Sequence, residues 1–209
     1  AHGSSSFTLK PQGIREEYST IFYLEPMGMR NQNAIGFDMY SNPIRKLAMD
    51  TARDSGTLTL SGKVTLVQEI DVNKQAGMLL YAPFYQKNID MNNLQERKKG
   101  LIGFVYSPFR MDDLMLSTGA DTEEINFKLY DSSDLSTESL MYDSSKDSQY
   151  TSKYTLKKSL TLYNHTWHIV FSSSSEFDTS NNNQYAFWMT ASSLAAYFIL
   201  LSIILALFK

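Results

Sequence analysis

The chain has 209 residues, 19 Lys and Arg against 22 Asp and Glu, a net charge of −3, and no cysteine. That balance, without an extended basic patch, excludes nucleic acid as a partner, and the missing thiols exclude disulfides and cysteine chemistry. The residues ahead of position 185 suffice for one large domain or two small ones, each able to bury a core.

Taken in order, residues 7–9 and 20–24 carry the β-branched and aromatic side chains expected of strands. Ser41, Asn42 and Pro43 then start a helix in which Ile44, Leu47, Ala48 and Ala52 recur at helical spacing, and Gly56 closes it. Residues 58–60, 64–70, 78–85 and 101–106 read as four further strands of an antiparallel sheet, with 86–99 as a long hairpin loop closed by Gly100. Pro108 is expected to open a short helix through Met115. A more polar section follows, in which 125–131, 139–143, 154–162 and 167–173 read as strands of a second, smaller sheet between Ser- and Asp-rich loops. Residues 172–183 read as a polar linker.

The run from Tyr185 to Phe208 contains no charged residue, and Lys209 follows at once. At about 1.5 Å per residue, roughly twenty such residues cross a bilayer core of about 30 Å. A lone apolar stretch in lipid must be helical to satisfy its backbone, and Tyr185, Phe187 and Trp188 stand at its entrance, where aromatic side chains favour the interface. Lys209 lies directly behind the run and the nearest cation before it is Lys158, so the C-terminus is expected in the cytoplasm and the large domain outside.

No catalytic constellation is present: no nucleophile elbow, no phosphate-binding glycine loop and no His-Glu-x-x-His. His165 and His168 are an odd number apart near a strand and point to opposite faces, which makes them poor joint metal ligands. Asp131, Asp134 and Glu138 do not match a calcium loop. The reading therefore includes no cofactor and no metal. Asn164-His165-Thr166 is a glycosylation sequon.

Six segments together resemble the CHASE family, the extracytoplasmic sensory domain of histidine kinases, cyclases and cyclic-dinucleotide enzymes. They are Tyr23-Leu24-Glu25-Pro26, the run Asn33 to Met39, Ala52 to Gly56, Leu60 to Glu69, Tyr81 to Tyr85 and Gly103 to Arg110. The resemblance covers 7–177 and is strongest from Tyr23 to Leu114. It implies an α+β fold of two PAS-like antiparallel sheets, a membrane-distal one over 7–120 and a membrane-proximal one over 121–177. A linker over 178–184 and one transmembrane helix over 185–208 follow. The family's long N-terminal stalk helix has no counterpart in this sequence, and an export signal or first span is expected upstream.

In cytokinin-binding members of the family an aspartate holds the adenine-like ring and a backbone group on the next strand assists. Asp38 resembles that aspartate and Leu60 that strand position. An adenine derivative is thereby allowed as a ligand but not implied. A carboxylate among Ile35, Phe37 and Met39 must be hydrogen-bonded if buried, and in an apolar pocket it orients a small molecule bearing N–H or O–H groups. The bland alternative is that Asp38 caps the following helix or pairs with Arg45. Tyr23 and Tyr81 are further candidates for ligand contact, with Met78 and Leu80 beside Tyr81. Adjacent strand residues face opposite ways, so not all of them can line one pocket.

The expected function is that of a receptor in the inner or plasma membrane, with its sensory domain periplasmic or extracellular, an unidentified small-molecule ligand, and a kinase or cyclic-dinucleotide enzyme beyond Lys209. A homodimer is expected, because a single membrane helix signals most simply by moving against its twin. The alternatives are a protein-interaction or assembly ectodomain without a ligand and, least favoured, an extracytoplasmic enzyme.

Overall fold

The computed structural model describes residues 7–69, 72, 74–119, 124–145, 150–180, 190–194 and 197. Along the chain lie helices α1 (Met29–Gln32), α2 (Pro43–Ser55), α3 (Leu94–Gly100), α4 (Met111–Thr118) and α5 (Ser175–Ser180). The strands are β1 (Thr59–Leu60), β2 (Gly77–Tyr85), β3 (Leu101–Arg110), β4 (Ile125–Tyr130), β5 (Leu140–Asp143), β6 (Thr155–Leu162) and β7 (His165–Ser173). They form two antiparallel sheets, ordered β1-β2-β3 and β5-β4-β7-β6. The α+β class is as expected.

Helix α2 forms where its signals place it. Asn42 accepts the Arg45 N–H at 3.1 Å, Pro43 occupies the first turn, and Gly56 ends the helix at φ 72°. Its buried residues Arg45, Ala48, Met49 and Ala52 recur every third or fourth position, so one stripe faces the sheet. That stripe meets Leu79 and Tyr81 of β2 in a first core with Ile21 and Met39. Alternation sends the neighbouring Met78 and Leu80 to the other face, where a second core gathers Leu60, Met111 of α4, and Leu129, Met141 and Trp167 of the second sheet. The pairing Leu60↔Leu80 and Tyr81↔Tyr106 keeps each cross-strand pair on one face.

The sheets are also tied end to end. Tyr163 and Asn164, at φ 46° and 60°, make the two-residue turn between β6 and β7, which demands positive φ at both positions. The turn docks on β1: the Leu60 N–H donates to the Tyr163 carbonyl at 2.9 Å, and the Asn164 amide donates to Thr59 Oγ1 at 3.0 Å and Thr57 Oγ1 at 2.9 Å. Asp131 bridges the same junction, accepting from the Lys63 N–H at 2.8 Å and meeting His165 Nε2 at 2.7 Å.

Several expectations need correction. Residues 7–9 and 20–24 are not strands: among the described residues the N-terminal segment makes only the isolated bridges Lys10↔Phe37 and Thr20↔Asp38. Among the described residues of the 64–70 run, 64–69, Val64 alone bridges, to Gly77, while Leu66 fills the first core. Pro108 opens no helix; it pairs with Leu79 in β3. An edge strand tolerates its missing N–H, and Pro83 is tolerated likewise because β1 covers only Leu80 and Tyr81 of β2. The loop 86–99 contains α3, capped by Asn93, which accepts from the Gln95 and Glu96 N–H groups. Residues 172–183, read as a linker, carry the end of β7 and α5. Of the apolar run only 190–194 and 197 are described, all helical. Among the described residues no helix is long and apolar enough to cross a membrane, and most of the expected span lies outside them.

Two stability predictions follow from this packing. At Gly36, φ is 83° and a Cβ would stand 2.1 Å from the Thr8 carbonyl oxygen. Gly36→Ala is expected to cost at least about 2 kcal/mol in urea unfolding, from left-handed strain and the clash together. Gly103→Ala, which meets nothing within 4 Å, should stay within about 0.5 kcal/mol. Asn164→Gly keeps the turn and removes the amide, and is expected to cost about 1 kcal/mol; an unchanged midpoint would show that the junction does not depend on that side chain.

Candidate functional site, a cleft over the first sheet

A cleft of about 670 Å³ lies between the N-terminal segment and the first sheet. Tyr18 to Glu25 make one wall, Ile102 to Pro108 of β3 the other, and Met39, Met49 and Tyr81 the floor. Tyr81 is wholly buried, with its hydroxyl 3.7 Å from Met39 Sδ and its ring 6.1 Å from that of Tyr106. Burial raises the Tyr81 phenol well above its ordinary value, and burial pushes Tyr106 up to about 12, against a lowering by Arg45. Both are neutral donors at any physiological pH. The Tyr106 hydroxyl is buried and has no hydrogen-bond partner.

Behind the two phenols lies Arg45, 2% exposed, with its own acidity shifted by burial and its pKa lowered. It donates to Met39 Sδ at 3.1 Å and the Thr65 carbonyl at 2.9 Å, and its guanidinium carbon is 5.0 Å from the Phe37 ring centroid. Its Nε has no partner, and among the described residues no carboxylate pairs with it. A smaller pocket of about 140 Å³ shares Asn31 and Pro108 with the cleft. There Arg110 and Arg30 approach the buried Glu69 carboxylate at 3.0 and 3.5 Å, and Gln68 Nε2 is buried without a partner.

Asp38 does not line the cleft; it holds the cleft's wall. Fully buried, it accepts from the Ser19 N–H at 2.8 Å and the Tyr40 N–H at 3.1 Å through Oδ1, and from Arg15 Nε at 2.7 Å through Oδ2. The bond to Tyr40 caps a 3-10 turn over Met39–Ser41, and the ion pair is with Arg15 rather than Arg45. Main-chain bonds extend the knot: Ile21 N–H to the Phe37 carbonyl and Met39 N–H to the Ser19 carbonyl, at 2.9 and 2.8 Å.

The other candidate residues divide by strand parity. Tyr81 is on the floor and Tyr23 at the rim, 67% exposed, donating to Glu25 Oε1 at 2.8 Å. Leu60, Met78 and Leu80 sit in or against the second core, on the far face of the sheet. Sequence reasoning missed Tyr106 and Arg45 as a polar pair under the cleft. Tyr106 was legible, since it follows Phe104 at a spacing of two beside Tyr81, whereas Arg45 occupies a helix position that a solvated arginine fills equally well. Among the described residues no group of three or more His, Cys, Asp or Glu is placed to hold a metal. His165 pairs with Asp131, and His168 Nδ1 meets Ser159 Oγ at 3.1 Å.

The family model described as the CHASE domain matches residues 1–142. No curated protein matches the chain. The matched range takes in the first sheet, β4 and most of β5, while β7, which hydrogen-bonds β4, lies beyond it. Since 142 of its 209 residues fall under that model, the chain belongs to the CHASE domain family, whose members are extracytoplasmic, sensory and non-catalytic.

Proposed function

We propose that this CHASE domain is the ligand-sensing part of a transmembrane receptor and that its ligand is a small molecule held in the cleft over the first sheet. The observation that carries the reading is the unpartnered Tyr106 hydroxyl in the cleft's β3 wall, with the buried Arg45 close enough to act on it electrostatically. An unsatisfied buried donor costs about 1–3 kcal/mol, so a ligand acceptor placed at the Tyr106 hydroxyl relieves a standing penalty. The cleft's size suits such a ligand, since small-molecule sites run from about 300 Å³ upward. The ligand class is a compact molecule with a flat apolar body against Tyr81 and Met49 and a hydrogen-bond acceptor, neutral or anionic, toward Tyr106.

In this reading Tyr23 and Tyr81 touch the ligand, and Asp38 positions the wall that closes over it. Leu60, Met78 and Leu80 lie beneath the site and pass its displacement to the second sheet. The two sheets serve as membrane-distal and membrane-proximal PAS-like modules. Residues 185–208 cross the membrane as a helix, in a homodimer, toward a cytoplasmic kinase or cyclic-dinucleotide enzyme. An apolar run of this length supports the span.

The test is a thermal-shift screen of the solubilised chain against adenine derivatives, amino acids and small organic acids. A ligand at about 100 times its dissociation constant adds about 2.7 kcal/mol of stability. Tyr106→Phe is expected to fold normally and weaken that ligand about tenfold, the worth of one hydrogen bond. A hit unaffected by Tyr106→Phe and by Tyr81→Leu moves the site elsewhere. No hit in any class favours an interaction module.

A further inference from the structure

The end of the second sheet that carries α5 has an apolar depression beside three lysines of the β6 segment, with Glu124 and with Glu176 of α5 at its margins. Ile125, Tyr154, Leu156, Phe171 and Phe177 line a depression of about 370 Å³ there. Tyr154 is 58% and Leu156 54% exposed, and the Tyr154 ring stands edge-on to Phe177 at 6.2 Å. Strand β6 is the sheet's edge and is exposed along its whole length. From Thr151 to Ser173 the chain carries Lys153, Lys157 and Lys158 and no carboxylate, in a protein of net charge −3. Leu156 and Lys158 share one face of β6 and Lys157 takes the other, so cations flank both sides of the apolar edge. The lysines all lie toward the α5 end of the sheet, because Thr155 pairs with Ser172. The opposite end is the one docked on β1 through Tyr163 and Asn164.

The chain's exit is fixed at this same end. Asp178 of α5 is 4% exposed, and its Oδ2 accepts from the Tyr150 hydroxyl at 2.6 Å, Ser173 Oγ at 2.9 Å and the Lys153 N–H at 3.1 Å. Lys153 Nζ also reaches the Asp178 carbonyl at 3.5 Å. The apolar run begins at Tyr185, and the five steps from Ser180 extend at most about 17 Å. Ser180 therefore lies within that distance of the run's entrance, and Phe177 of the patch stands one helical turn before Ser180. An exposed apolar patch marks a protein or membrane contact, and here the short tether and the flanking lysines select the membrane. Aromatic rings and long-stemmed cations are what the headgroup layer of a bilayer containing anionic lipid favours.

We propose that this end of the second sheet docks on an anionic bilayer surface, with Tyr154, Leu156 and Phe177 at the headgroup–acyl boundary and Lys153, Lys157 and Lys158 on lipid phosphates. The inference rests on the reading of 185–208 as a membrane span. It makes the second sheet a seated base, whose tilt against the bilayer is set by contact rather than by the linker alone.

The test uses the full chain in vesicles containing about one third anionic lipid. Because the sequence has no cysteine, Leu156→Cys accepts a single environment-sensitive fluorophore. Leu162→Cys, about 20 Å along the same strand, is the reference. Quenching by lipid-borne spin labels is expected to be about three-fold or more stronger at 156 than at 162, and to fall toward the reference in the Lys157→Glu, Lys158→Glu double variant. Resistance to alkaline extraction reads the span separately. Stable insertion with equal quenching at both positions overturns the docking and leaves the span standing, whereas extraction into the wash overturns the span and the docking with it. A blue-shifted fluorophore at 156 that lipid quenchers do not reach assigns the face to a protein neighbour and overturns the proposal. Undiminished quenching in the double variant overturns the phosphate contact.

Discussion

The first half of strand β2, from Met78 to Tyr81, is enclosed on both faces, and most of the molecule is arranged around that condition. Leu79 and Tyr81 point into the core under α2, while Met78 and Leu80 point into the core shared with α4 and the second sheet. A strand with one solvated face alternates apolar and polar residues. This one reads Gly-Met-Leu-Leu-Tyr-Ala, apolar throughout, because neither face is free. A shift of register by one residue would exchange the two cores, placing Tyr81 against Trp167 and Met78 against α2. Both cores resist that exchange, so the cleft on one face and the second sheet on the other are held in fixed relation.

The cleft's outer wall has no sheet to hold it, and a buried carboxylate does that work. An isolated buried charge is too costly to keep, yet Asp38 accepts from two backbone N–H groups and one guanidinium, which together satisfy most of its lone-pair capacity. The same bonds draw residues 15–21 onto 36–40. This explains how an aspartate in a Gly-Phe-Asp segment serves the fold whatever the ligand is: removing it frees the wall before it removes any contact inside the cleft. The close approach of Thr8 to Gly36 belongs to the same knot and admits no side chain.

How much of this was legible follows from where the determining forces are local. Helix α2 announces itself, because its cap, its proline, its stripe and its terminal glycine all lie within fifteen residues of one another. Four strands of the second sheet were readable for the same reason, each being a short β-branched or aromatic run between polar loops. The failures are non-local. Residues 20–24 have strand composition, but their partner is the irregular run at 36–39, and a ladder cannot form on it. Pro108 reads as a breaker until β3 is known to be an edge strand. The cap that starts α3, Asn93 with Glu96 three residues on, was a local signal in plain view inside a stretch dismissed as loop. At the site, parity along β2 sorts Tyr81 from Met78 and Leu80 without any structure. Nothing local distinguishes Arg45 from a solvated arginine, since its burial is decided by Phe37, Met39 and Thr65 packing over it.

A cleft on one sheet affects a second sheet only through what joins them, and the two joints differ in stiffness. At the turn of β6 and β7 the ties are short, directional hydrogen bonds among Asn164, Thr59, Asp131 and Lys63, which tolerate little displacement before breaking. The shared core is of another kind: Met78, Met111 and Met141 are three of its seven buried side chains. Methionine has three rotatable bonds and a polarisable thioether, and it refills a changed space at lower cost than Leu or Ile. A small movement of β2 would therefore meet a fixed point at one end of the second sheet and a compliant packing along its face, and in the proposed receptor the displacement becomes a rotation about the turn. A ligand drives such a rotation only as far as its affinity differs between the two arrangements, and about 5.5 kcal/mol of difference is needed to reverse a 1:99 population. In the proposed receptor, one hydrogen bond to Tyr106 falls well short of that. The remainder would come from burial of the ligand's apolar body against Tyr81 and Met49.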